Sequence, residues 1–315
     1  MEPRASIPRM PAQVTVFGPH PLLGVTIERR GESDDVHLHP AGQGVWVARM
    51  AGELGSHPVL CGFSGGETGK VLAPLLDELP GDRRLVTTAA WSGSYVMDRR
   101  SGEREPIAFA WSAPPTRHEI DDLFSLTTTA ALSSEVLVLC GPVPSDSLPV
   151  EIYGKLVTDA RAGDTRSIVD LSPPLLNSAL EGEPDIVKAN DWQLAEFVEG
   201  PVSTESEMRS GAEAVLEAGA ACVMVTRGGD PALIATREHT WELTPPRFEE
   251  GAPEGSGDSM VGAMAAMLAQ GLSLEDALRW GAAAGAANFL RHGLGTGSRT
   301  VVEDLLPRVE LRELW

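Results

Sequence analysis

The sequence predicts an α/β protein, with a doubly wound, mainly parallel sheet, helices on both faces and a small β-sheet lid. Three observations predict it. Short β-rich apolar runs alternate along the chain with longer segments of helical period. Two segments, about 24–39 and 91–111, break that rhythm by alternating polar and apolar residues. The length of 315 residues, 42% hydrophobic, with Gly 33 and Pro 24, suits a globular chain with many turns. With no repeat and no long linker, the expectation is a single domain over residues 1–315 with the two lid segments inserted.

Taken in order, residues 14–17 (VTVF) read as a strand ended by Gly18-Pro19. Residues 45–54 read as a helix closed by Gly55, 59–63 as a strand, and 70–78 as a helix stopped by Pro80-Gly81. The rhythm continues through strand 136–139, helix 150–162, strand 167–171 and the short buried run 186–187. Helix 206–218 then leads to strand 222–226. Strands separated by helices favour a parallel sheet covered on both sides. The two alternating segments have the pattern of antiparallel strands with one solvated face, the second turning at Arg100-Ser101-Gly102-Glu103. They form a lid or dimerisation element, or more plainly surface hairpins.

A net charge of −20 provides no diffuse basic field to hold a polyanion, which argues against nonspecific nucleic-acid or anionic-membrane binding. Cys61, Cys140 and Cys222 are odd in number, widely spaced and set in apolar runs, so buried small hydrophobes are expected rather than disulfides or metal ligands. No segment resembles a signal peptide or reaches the roughly 20 apolar residues of a membrane span, so a cytoplasmic location is expected.

The chemistry concentrates in residues 254–271, EGSGDSMVGAMAAMLAQG. Gly255-Ser256-Gly257 lets the backbone curl, Asp258 follows, and 259–270 reads as a buried helix. Free N–H groups at such a helix start make an anion pocket. A carboxylate beside that pocket opposes phosphate binding unless it takes a proton from an attacking hydroxyl. The plainer alternative is that Ser256 or Asp258 caps the helix. Two more glycine turns accompany it: Arg227-Gly228-Gly229-Asp230-Pro231 after a strand, and Ala41-Gly42-Gln43-Gly44 before a helix.

The segments AGQGVWVARMAGELG, CGFSGGETGKVLAPLLDE, VKANDWQLAEF, VTRGGDPALI and EGSGDSMVGAMAAMLAQG, in this order, resemble the PfkB/ribokinase family of carbohydrate kinases. The likeness runs from about residue 13 to about residue 300 and is greatest to the branch of 1-phosphofructokinase and tagatose-6-phosphate kinase. It implies a ribokinase-like fold, ATP as phosphoryl donor and Mg²⁺ beside it. It also implies Asp258 as the catalytic base, with Gly255, Ser256 and Gly257 as the anion hole. Thr226 and Gly228 would contact the nucleotide phosphates, the 283–288 segment with Ala284 and Asn288 would flank the adenine, and Asn190 with Gln193 would organise the metal.

The acceptor side departs from the family pattern. The family's N-P-A-x-D reads His20-Pro21-Leu22-Leu23-Gly24, so its sugar-gripping carboxylate is missing. In G-G-K-G-x-N, Gln43 replaces a phosphate-binding lysine and Trp46 a sugar-binding asparagine; Gly42 keeps its glycine. Ser92 aligns with an arginine, N-x-x-E ends in Gln193, and Pro231 replaces a glycine. Losing the lysine alone removes a charge-assisted contact worth roughly 1.5–3 kcal/mol. The substrate residues are therefore taken as His20, Gly42, Gln43 and Trp46, facing a sugar, sugar phosphate or sugar-like acceptor. His37 and His39 alternate on one lid strand and read as a solvated face rather than a metal pair. Two rivals follow from the same departures: a regulatory protein that has kept only nucleotide binding, and a nucleoside kinase with a base stacked on Trp46. A homodimer through the exposed lid edge is also expected.

Overall fold

The computed structural model describes residues 12–291 and 297–314. β1 (Gln13–Phe17) passes into the hairpin β2 (Leu22–Arg30) and β3 (Ser33–Ala41), and α1 (Gln43–Glu53) leads to β4 (His57–Gly65). After α2 (Gly66–Leu76) and β5 (Asp82–Thr88) a second hairpin, β6 (Ser94–Asp98) and β7 (Glu105–Ala110), precedes α3 (Arg117–Ala131). The chain continues through β8 (Val136–Cys140), α4 (Glu151–Ala162), β9 (Arg166–Asp170), α5 (Leu175–Glu181) and β10 (Ile186–Asn190). Then come α6 (Asp191–Phe197), α7 (Glu205–Glu217), β11 (Cys222–Arg227), β12 (Asp230–Thr236) and β13 (Thr240–Thr244). Two long helices, α8 (Ser256–Ala269) and α9 (Leu274–Phe289), are followed by α10 (Arg299–Leu305) and β14 (Glu310–Glu313).

The large sheet has the order β14-β13-β12-β11-β10-β9-β8-β1-β4-β5. It is parallel from β11 to β5 and antiparallel from β11 to β14. Side chains alternate between its faces. Val136, Val138 and Cys140 join α1, α8 and α9 in one core, while Leu137 and Leu139 join α4, α5 and α7 in the other. Burial on both faces is why these strands are uninterrupted apolar runs. All three cysteines are free and buried, as expected.

The lid is a separate sheet, β3-β2-β6-β7. Each hairpin is antiparallel, and β2 pairs β6 in parallel, which joins the two segments edge to edge. Leu22, Ala41 and Tyr95 tie its base to the body, with Trp46 and Met97 packed against them.

Several boundaries differ from expectation for identifiable reasons. β5 (DRRLVTT) is a sheet edge with mostly half-buried residues, so no apolar run marks it. The helix expected at 70–78 starts at Gly66, directly after β4. The buried run 186–187 extends to Asn190 because an ion partner lets Lys188 sit inside the sheet. The glycine turn after β11 connects two antiparallel strands, Arg227 pairing with Asp230. α8 begins at Ser256, which brings Asp258 into its first turn. The C-terminal ends of the parallel strands thus share one edge, where open α/β sheets bind ligands.

Candidate active site

At that edge, Gly255 precedes α8 in the left-handed conformation (φ 77°), which glycine adopts without strain, and no side chain caps the helix. The simple capping role for Ser256 or Asp258 is therefore not what the geometry shows. The Ser256 N–H is engaged by the Pro253 carbonyl at 3.1 Å. The N–H groups of Gly255, Gly257 and Asp258 have no partner among the described residues, so of the expected Gly255–Asp258 stretch only the Ser256 N–H is engaged by the protein.

Beneath it lies Lys188. Its ammonium is 3.0 Å from where a Cβ on Gly257 would stand, and it pairs with Asp170 Oδ2 at 3.0 Å. Their side chains are 7% and 5% exposed. The Asp258 carboxyl is pushed up to about 7, first by dehydration and then by the negative charge of Asp170, against the opposing pull of Lys188. Asp258 is half-buried at the mouth of the site, so a proton can still reach it. A carboxylate titrating near neutrality is suited to exchanging protons.

Asn288 and Ala284 are fully buried. Asn288 Nδ2 donates to the Glu254 carbonyl at 2.8 Å and to Ser256 Oγ at 3.3 Å, so it braces the glycine loop from behind instead of facing an open groove. Thr226 Oγ1 donates to the Ala189 carbonyl at 3.4 Å, and Gly228 (φ +58°) stands at the open tip of the β11–β12 turn. Asn190 and Gln193 form a capping box at the start of α6. Each side-chain oxygen accepts the other residue's N–H, at 2.9 and 2.8 Å. Gln193 Nε2 turns to Asp170 Oδ1 at 3.3 Å. Each oxygen thus accepts one N–H and keeps a second lone pair, and no cluster of three His, Cys, Asp or Glu ligands occurs among the described residues.

On the acceptor side, Gly42 (φ +106°) starts α1, and a Cβ there would lie 3.1 Å from the His20 carbonyl. Gln43 is occupied by the protein itself: Nε2 donates to the Asp170 carbonyl at 3.2 Å, and Oε1 accepts the Gly141 N–H at 3.0 Å. Trp46 packs at the lid base, its buried Nε1 without a hydrogen-bond partner among the described residues. Gly24 pairs with His39 across β2 and β3, and a Cβ on Gly24 would lie 2.4 Å from His39 Nε2. The imidazole, bonded to Tyr95 Oη at 3.2 Å, thus fills the space of a side chain at position 24. Burial, then Arg49 and Arg104, hold His39 down to about 4, so it is neutral there. It is half-buried, not the solvated histidine expected.

Residues 24–301 match the profile of the pfkB family carbohydrate kinases. The chain belongs to the PfkB family of carbohydrate kinases. It is 31% identical over 263 residues to the ATP-dependent 6-phosphofructokinase isozyme 2 of Escherichia coli strain K12, covering 81% of this chain and 83% of that one. It is 27% identical over 276 residues to the 1-phosphofructokinase of Bacillus subtilis strain 168, covering 88% and 89%. The crystal structure of phosphofructokinase-2 from Escherichia coli in complex with potassium superposes with a TM-score of 0.81 at 26% identity, covering 95% and 99%. The ribokinase-like fold and carbohydrate kinase class expected from the motifs therefore hold, and the regulatory and nucleoside alternatives are not favoured.

For this kinase the structure adds residues that the sequence reading missed. Lys188 and Asp170 stand beside Asp258, yet neither belongs to the glycine motif. One signal was available: Lys188 is one of only three lysines and interrupts an apolar strand, VKAN. A buried charge of that kind requires a partner. The interaction of His39 with Gly24 left no trace in the sequence, because only strand register brings them together.

Proposed function

We propose that this kinase transfers the γ-phosphoryl group of ATP to a hydroxyl of a sugar or sugar-like molecule, with Asp258 accepting the hydroxyl proton. The observation that carries the proposal is a carboxyl held near neutrality beside N–H groups that have no partner among the described residues, at the start of a buried helix. Those N–H groups and the Lys188 ammonium beneath them stabilise negative charge on the transferring group. The donor is taken as the magnesium complex of ATP, in which Mg²⁺ neutralises phosphate charge. It lies along the Thr226–Gly228 turn, and the chain's own part is positioning and charge. The names of the relatives, 6-phosphofructokinase and 1-phosphofructokinase, support a sugar-type acceptor.

The 315 residues are read as one domain bearing the lid, located in the cytoplasm; no described helix is long and apolar enough to cross a membrane. A second copy covers the outer lid face, where Val36 and Leu38 on β3 are exposed. The test of the kinase reading is ADP release from ATP with Mg²⁺ across a panel of hexoses, pentoses, their phosphates and nucleosides. Acceptor-dependent ADP release that EDTA abolishes is expected. Intact ATP binding with no acceptor-dependent release from any member would contradict it.

A further inference from the structure

Beside the acceptor loop lies a cavity that phosphoryl transfer itself does not require. His20, on the loop after β1, is 8% exposed. Its Nδ1 accepts the Val143 N–H at 3.2 Å, which places the proton of the neutral ring on Nε2. Nε2 is buried with no hydrogen-bond partner among the described residues. An unsatisfied buried donor costs about 1–3 kcal/mol, a cost that a bound oxygen would remove.

The ring packs 5.7 Å from Phe63 and lines a small cavity, partly open to solvent, with Trp91, Ser92 and Ser112; its room is that of about one water or one substrate oxygen. Ser92 Oγ accepts the Gly65 N–H at 3.1 Å, and Ser112 Oγ accepts the Gly93 N–H at 2.9 Å. Each hydroxyl keeps its own proton to donate. Three donors therefore line the cavity, and none of its lining residues carries a charged side chain. His20 adds no charge near neutrality, because burial holds it down to about 4. A phosphate desolvated here would meet no lysine, arginine or imidazolium, whereas a carbonyl, hydroxyl or ether oxygen matches the donors.

The cavity adjoins the acceptor loop: the His20 carbonyl lies against Gly42, and Gly141, two residues before Val143, is held by Gln43. We propose that this cavity is an acceptor subsite for an uncharged, oxygen-bearing end of the substrate, so that the enzyme phosphorylates a neutral hydroxyl compound in preference to a sugar phosphate. This rests on the kinase reading above, since it takes the acceptor to lie between His20 and Asp258.

The test compares neutral hexoses, pentoses and polyols with their phosphates in the ADP-release assay, alongside ¹⁵N-histidine spectra of the protein with each compound and with inorganic phosphate. Neutral acceptors should show kcat/KM at least about tenfold above their phosphates. His20→Ala, checked for folding by its melting curve, should raise their KM about tenfold with kcat little changed. His20→Gln, which returns an N–H donor, should recover part of that loss. The His20 Nε2 signal, assigned by its loss in His20→Gln, should move with neutral acceptors and not with inorganic phosphate. Preference for the phosphates, an unchanged KM in His20→Ala, or a signal that answers to inorganic phosphate would overturn the proposal. Absence of any acceptor-dependent ADP release strikes the kinase reading instead. The His20 signal then decides the subsite alone, upheld by a shift with neutral compounds and overturned by none.

Discussion

Replacing Lys188 with methionine keeps an unbranched side chain of similar length and removes the ammonium from between two carboxylates. The pair it breaks is 3.0 Å apart, with both side chains more than nine-tenths buried. At an effective dielectric near 20 the direct attraction is about 4–6 kcal/mol before desolvation is counted. Removing one partner leaves Asp170 buried and uncompensated, so Lys188→Met should lose about 3–5 kcal/mol of unfolding free energy in urea. Because methionine fills the same space, little of that loss comes from packing. Adding Asp170→Asn removes the stranded charge, and the double variant should regain most of the loss. A second consequence follows at Asp258. Lys188 opposes the rise of that carboxyl to about 7, so its removal should move the midpoint of the kcat/KM profile to higher pH. A single variant within about 1 kcal/mol of wild type, or a double variant no better than the single, would refute the buried-pair reasoning.

Gly24→Asp restores the family's carboxylate but drives its Cβ into His39 Nε2, so it should destabilise the protein by about 1–3 kcal/mol, with recovery when His39→Ala is added; paired urea curves check this. Leu38→Glu on the exposed outer lid face should shift the mass measured by light scattering from dimer to monomer, and unchanged mass would remove the lid from the interface.

The buried parallel strands were legible because two covered faces require unbroken apolar runs, and the lid was legible because one solvated face imposes alternation. β5 was not, since an edge strand needs few apolar residues. At the site, the glycines and Asp258 stood out as neighbours in sequence. Lys188 and Asp170 come from adjacent parallel strands, and only the fold shows that their charges meet beside Asp258. The altered acceptor residues were readable as departures, but not their consequences. Gln43 became a main-chain clamp and His39 filled the space beside Gly24, both through pairings across the fold.

The most direct test of Asp258 as the base is kcat/KM for wild type and Asp258→Asn over about pH 5 to 9 with the best acceptor. The base works deprotonated, so wild-type activity should rise with pH, about tenfold per unit at the acid end, and level off above a midpoint near the carboxyl's value of about 7. Asp258→Asn should lie about a hundredfold or more below that plateau and lose the midpoint. Turnover by Asp258→Asn within a few-fold of wild type, with the same pH dependence, would contradict the account.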